Sequence, residues 1–439
     1  MPRYLIILAL LICAISMIIF VGCDDRGTGV TTANVSKYGI DPGGDHAIQP
    51  ELTYQIRNPQ EMLLGTVYIP EVAMPPSSQP VPLLILLAPE YGNRYYFFEA
   101  GLEEIANEMI ASGEIDPMVI YCVGNDPTFG GFFYGNSYAN GSPNNIPSGN
   151  YDGIIGDKLV DWLTHDYITA IIDQSAKRGI GGVGQGAYGA FRAVLKHPGV
   201  FSSISVTDGP LDFNGRDDAS GLMDLFQTVI DEQSAHFIGS DADTMPFDFF
   251  YHFDSSYTMP VSMMFVGGAL AFSPNDTLVE FTRYTTNNVI TVTIDARYPI
   301  AADTFPGGGD SSTFVYNVIT DDISGHDFDF HLPFDANGSS GASNWAWSRW
   351  LSNNLDSLYM QAGNGVFDST KIWVATSPCS KWNYHEMTTS WIEFLGTQGD
   401  SVEVHNYSGH GYSDVSGDEY TYDLLRKMLK FHSDNFKNN

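Results

Sequence analysis

Cysteine and basic residues are both scarce in this chain. Of its 439 residues four are cysteines; Cys13 lies inside the N-terminal apolar stretch and Cys23 directly follows it. That leaves Cys122 and Cys379, which do not indicate a disulfide framework. Lys plus Arg number 20 against 52 Asp plus Glu, for a formal net charge of -32. A field of that sign repels nucleic acid and anionic bilayers and keeps a protein soluble at high density. It argues against nucleic-acid binding and suits a salty or external milieu. The regular alternation of an EF-hand loop is missing too: the acidic clusters at 303–310 and at Asp321 and Asp322 offer calcium ligands without that spacing. No cofactor is indicated. What the chain does have is apolar material, 43% hydrophobic and 13% aromatic residues, ample for a packed core.

The N-terminus reads as an export signal. Arg3 precedes an unbroken apolar run from Tyr4 to Gly22, the layout of a signal peptide over residues 1–22. A run of that length is also compatible with an uncleaved transmembrane anchor. Its ending, Phe20-Val21-Gly22-Cys23, resembles a bacterial lipobox, which implies lipidation of Cys23 as the mature N-terminus. Asp24 and Asp25 resemble a signal for retention at the inner membrane. Both readings leave the rest of the chain outside the cytoplasm, tethered at the cell envelope. Residues 23–50, rich in Gly, Thr, Asp and Pro and without apolar periodicity, form the expected tether.

Residues 51–439 read as one domain. Two short strands are expected from Thr53 to Tyr68, followed by a proline-rich loop. The continuous apolar runs LLILLA (83–88) and MVIYCV (118–123) are too short for helices and suit strands buried on both faces. Helical spacing marks 98–112 and 154–172. Strands at 179–183 and 202–208 bracket a helix at 187–195, and this alternation predicts a mostly parallel sheet covered on both faces. The rhythm breaks over about 216–370, an acidic, aromatic insertion, and resumes with KIWVAT at 371. A helix at 390–396, a strand at SVEVHNY and a helix at 420–431 complete the chain.

Between the strand at 179–183 and its helix lies Gly182-Val183-Gly184-Gln185-Gly186. With GEIDPMVIYCVGND, GGFFYGNS, YDGIIGDKLVDWLTHDY, GGVGQGAYGAFRAVLKHPGVFSS and VHNYSGHGY in that order, the chain resembles the esterase branch of the α/β-hydrolase superfamily. Tributyrin and feruloyl esterases and S-formylglutathione hydrolases belong to that branch. The resemblance implies an α/β-hydrolase fold with a long insertion before the last strands. It also implies a Gly-x-Ser-x-Gly nucleophile elbow, and here Gly184 stands where the serine belongs. Gln185 occupies the position whose backbone N–H serves as an oxyanion donor, and His410 matches the catalytic histidine. The turn that supplies the second donor corresponds to Ala88, Pro89 and Glu90. There proline removes an N–H and a carboxylate opposes developing negative charge. Near the expected orienting acid the chain offers Lys381 and, as its first carboxylate, Glu386, expected on a solvated helix face.

Other groups offer themselves as replacements. Cys379 lies beyond a different strand and reads as an inert thiol, and its pairing with Cys122 would have to cross intervening strands. Ser137, Asp208 and Asp212 have no base at a telling spacing. In HDFDFH, strand alternation would set Asp327, Asp329 and His331 on the face opposite His326, a partial metal-ligand set on an otherwise acidic strand. The aromatic stretches at 95–98, 129–138 and 344–350 either line a ligand cleft or form the core of the insertion. The expectation is a tethered, esterase-like protein with a degenerate catalytic site that binds a glycan, an acylated ligand or an envelope partner. The alternative is a carboxylic-ester hydrolase using displaced residues.

Overall fold

The computed structural model describes residues 52–55, 62–73, 80–125, 131–135, 177–216, 220–236, 260–273, 345–407 and 419–437, with a few short segments between them. All of them belong to the unit formed by Glu51–Asn439. Eight strands make the principal sheet: β1 (Leu52–Gln55), β2 (Met62–Tyr68), β3 (Leu83–Leu87), β4 (Val119–Val123), β5 (Arg178–Val183), β6 (Ser203–Thr207), β7 (Lys371–Thr376) and β8 (Val402–Asn406). Their spatial order is β1-β2-β4-β3-β5-β6-β7-β8. β1 and β2 pair antiparallel, as do β2 and β4, and every later pairing is parallel. An antiparallel entry, a β4-β3 reversal and a parallel run onward make this the α/β-hydrolase fold. Cys122 and Cys379 are both free, and β3, β5 and β6 separate their strands.

The central strands β3 and β4 read as apolar runs because both faces are covered, whereas the edge strand β8 is largely exposed. β3 and β4 are buried at every position. Helix α1 (Leu102–Ala111) and the C-terminal helix α8 (Glu419–Lys437) pack together on one face, α8 touching β5, β6 and β7. On the other, α2 (Gln185–Lys196) lies on β3, β5 and β6. Within the insertion, α3 (Phe226–His236), α4 (Pro260–Phe272) and α5 (Trp345–Ser352) are followed by α6 (Leu355–Ala362), which packs on α2. Two antiparallel strand pairs, Glu280–Tyr284 with Val289–Thr293 and Ile319–Thr320 with Asp327–Phe328, complete its described strands.

Several boundaries differ from the sequence reading. The helix expected over 98–112 is split at Gly101, whose φ of 89° breaks a short turn at Tyr96–Glu99 from α1. The helix expected at 390–396 is α7 (Tyr384–Gln398), and α8 runs six residues past Phe431. Of 154–172 only short helical turns at 155–156 and 159–161 and isolated positions are described.

The insertion packs into an aromatic core that it shares with α2 and the loops beside it. Phe133, Tyr188, Phe213, Phe272 and Trp350 are buried against one another, with Tyr188 stacked on Phe213 at 5.2 Å and Phe272 edge-on to Trp350 at 5.2 Å. The described aromatics of 132–134, together with Trp347 and Trp350, therefore serve packing and do not line an open cleft. Glu232 fastens α4 by accepting from the N–H groups of Val261 (3.0 Å) and Ser262 (2.7 Å).

Candidate functional site

The elbow is built by two close approaches and one glycine-only backbone conformation. A Cβ at Gly182 would lie 2.0 Å from the carbonyl oxygen of Gly186, and one at Gly186 would lie 2.1 Å from that of Leu87. Between them Gly184 adopts φ 57° and ψ −123°, a conformation open to glycine and strained for any other residue. Its N–H is shared between the carbonyls of Thr207 (3.2 Å) and Asp208 (2.9 Å), and its carbonyl starts α2 by accepting from Ala187 (3.0 Å). The strand-turn-helix geometry of a nucleophile elbow is thus present, and the residue at its apex has no side chain.

The backbone N–H of Gln185 already has a partner. It donates to Oε2 of Glu90 at 3.0 Å, and Glu90 is only 5% exposed. The Gln185 side chain turns the other way, its Oε1 accepting from Asn125 Nδ2 (3.0 Å) and from the N–H of Phe133 (3.1 Å). Glu90 follows β3 in a loop closed by Gly92 N–H to the Pro89 carbonyl (3.0 Å) and by Asn125 N–H to that of Gly92 (2.7 Å). Tyr91, at φ 61°, donates from its hydroxyl to the Pro260 carbonyl and so joins this loop to the start of α4. Burial, with the Glu90 charge added, raises the hydroxyl pKa values of Tyr91 and Tyr96 far above the ordinary tyrosine range.

On the other side of Gly184 stands Asp208, fully buried after β6 with φ 37°. Its Oδ1 accepts from Thr376 Oγ1 (2.7 Å) and Ser377 N–H (3.2 Å), and its Oδ2 from the Tyr407 hydroxyl (2.5 Å). Thr376 also meets Nδ1 of His385 at 3.0 Å. Burial pushes the Asp208 carboxyl up to about 6, against the lowering effect of Tyr407, Thr376, Ser377 and His385.

The structure brings together Gly184, Gln185, Glu90 and Asp208 and leaves other candidates apart. Glu386 is exposed and accepts from Ser220 N–H (2.8 Å), a bond that lowers its carboxyl pKa, and it does not orient a base at the elbow. Asp212 is buried as a loop anchor for Asn214, Asn354 and Ser390. Cys379 is exposed in the turn after β7. His410, Cys23, Ser137, His326, Asp329, His331 and the clusters at 303–310 and 321–322 lie outside the described residues. Lys381 and Asp327 are described only as backbone, in a 3-10 turn and a two-residue strand. Among the described residues no group of three His, Cys, Asp or Glu is placed to hold a metal ion.

Sequence reasoning missed Tyr407, Thr376 and His385, and counted Asp208 as one loose acid among several. The available signal was position: Asp208 ends a buried strand next to β5, and Thr376 ends the strand beside it, with Ala375 in register with Thr207.

No protein-family model matches the chain, and no curated protein matches it. Among solved structures it is similar to a ferulic acid esterase at 13% identity and TM-score 0.47, over 88% of this chain and 97% of that one. It is also similar to an S-formylglutathione hydrolase from Agrobacterium tumefaciens, at 12% identity and TM-score 0.43, over 88% and 94%. A third is a carboxyl esterase from the fungus Tuber melanosporum, at 9% identity and TM-score 0.41, over 90% of each chain. The fold assignment rests on the strand order and pairing above.

Proposed function

We propose that this chain is a membrane-tethered, extracytoplasmic protein of α/β-hydrolase fold that has abandoned acyl transfer at its elbow and works by binding. Its ligand in the old cleft is a glycan, an acylated molecule or an envelope partner. The observation that carries this reading is Gly184: the apex keeps the backbone of a nucleophile elbow and lacks the atom that would attack. An acyl-transfer site needs a hydroxyl, a base to take its proton and free donors for the oxyanion. The first is absent, and the Gln185 donor is engaged by Glu90. The lipobox-like ending at Cys23 supports the tether.

The test is hydrolysis of p-nitrophenyl butyrate by a soluble form covering residues 24–439. The unmodified protein is expected to run at the buffer rate. Turnover by the unmodified protein, lost on His410→Ala, would establish a hydrolase working through displaced residues and end the binding reading. A Gly184→Ser variant run beside it reports how much of the old apparatus survives, since any gain would come from the hydroxyl alone.

A further inference from the structure

We infer that Glu90 is a resident anion: its carboxylate occupies the place on the first amide of α2 where an oxyanion or a ligand carboxylate would sit, and so closes the cleft to anionic ligands. The inference deepens the binding reading above and rests on the elbow being a ligand site.

The amide in question is well suited to negative charge. It opens a helix of 12 residues, where unpaired N–H groups and the helix dipole both attract an anion. The second observation is the occupant itself. Glu90 is an acidic side chain withdrawn from water, and a buried carboxylate persists only where hydrogen bonds replace its hydration. The Gln185 N–H at 3.0 Å supplies a charge-assisted bond of that kind. Neither partner is free to swing away. The loop after β3 is pinned at Ala88 by the Val123 carbonyl (3.0 Å) and at Gly92 by Asn125 (2.7 Å). Gln185 is held through its own carboxamide, against which a Cβ at Gly131 would come to 2.2 Å.

The chemical consequence concerns ligand class. A carboxylate, a phosphate or an ester passing through its tetrahedral anion would have to displace Glu90 or lie beside it, and like charges at such distances disfavour each other strongly in a buried site. Ligands without charge face no such barrier. Of the occupants proposed above, a neutral glycan is therefore favoured over an acyl group presenting an anion.

Chemical rescue tests this. Glu90→Ala removes the carboxylate and leaves its place on the amide, and Glu90→Gln keeps a carbonyl acceptor without the charge. Thermal midpoints are measured for both and for the unmodified protein in sodium acetate, with sodium chloride of equal ionic strength as reference. Acetate is expected to raise the Glu90→Ala midpoint logarithmically and without a plateau, by about 2 °C for each tenfold rise above its dissociation constant. The other two proteins should show no shift beyond chloride. A folded Glu90→Ala protein indifferent to acetate, or an equal acetate shift in the unmodified protein, overturns the inference. If Glu90→Ala does not fold, the Gln185 amide proton in Glu90→Gln decides: loss of a charged acceptor moves it upfield, and an unchanged resonance overturns the inference. The rescue reads binding and not turnover, so ester hydrolysis by the unmodified protein would remove the binding function while leaving this result standing.

Discussion

Asp208 holds its charge against its surroundings. Three hydrogen bonds favour the carboxylate, yet burial outweighs them and raises its pKa from 3.8 to about 6. A group whose folded pKa exceeds its unfolded value contributes stability below the unfolded pKa and loses that contribution as pH rises through the folded one. For Asp208 the window runs from pH 3.8 to about 6, and across it about 3 kcal/mol of stability is given up, at about 1.4 kcal/mol per pH unit. Asp208→Asn keeps the size and one acceptor oxygen and does not titrate. In urea unfolding, the variant should gain on the unmodified protein by up to about 3 kcal/mol between pH 4 and 7. Parallel pH profiles would show that the buried charge is not under this tension. Gly184 stands out in the sequence because it sits at the centre of a spaced glycine motif between a strand and a helix. Glu90 is visible in the sequence as a carboxylate in the turn after β3, but its bond to Gln185 joins residues 95 positions apart and depends on the course of two loops. Asp208 was harder still, since Thr376 and Tyr407 reach it only through the register of neighbouring strands.

Helix α8 shows how a tertiary partner overrides local reading. Its apolar spacing is plain through Leu424, Leu425, Met428 and Leu429, and then the sequence turns polar with His432, Ser433 and Asp434. The helix nevertheless continues, because His432 is a core residue. Its Nδ1 meets Ser203 Oγ at 2.8 Å and its Nε2 meets Ser205 Oγ at 2.7 Å, two side chains on the same face of β6. Gly179 in β5 makes the room, for a Cβ there would lie 2.5 Å from the imidazole. Burial lowers the His432 pKa from 6.5 to about 3, so the folded ring stays neutral where the unfolded one takes a proton. Its contribution is complete above pH 6.5 and is lost as pH falls toward 3, to a total of about 5 kcal/mol. The sign is opposite to that of Asp208, so the two variants separate the effects between pH 4 and 6. His432→Gln should start less stable at pH 7.5 and lose less on acidification than the unmodified protein. An equally steep acid loss in the variant would assign that loss to other groups.

For the whole molecule the dominant quantity is its charge of -32. Such a body is pushed away from an anionic bilayer, so any lasting attachment has to be hydrophobic and local. Among the described residues no helix is long and apolar enough to cross a membrane. The sequence places its apolar run before Cys23, ahead of a polar tether. If Cys23 carries a lipid with two acyl chains, attachment is stable, because each buried methylene adds about 0.8 kcal/mol and two chains suffice where one is marginal. High salt screens charge and leaves acyl burial intact. The full chain expressed in a bacterial host should therefore stay with the membrane fraction through high-salt washes. Cys23→Ser should behave differently, since without lipidation and the cleavage linked to it the apolar run is retained. Intact mass then decides between the two layouts: lipid on a Cys23 N-terminus in the parent supports the lipoprotein, and an unmodified chain that keeps residues 1–22 in both proteins establishes the plain anchor. Release of the parent by salt alone would contradict both, because it would mean that a strongly acidic protein is held by charge.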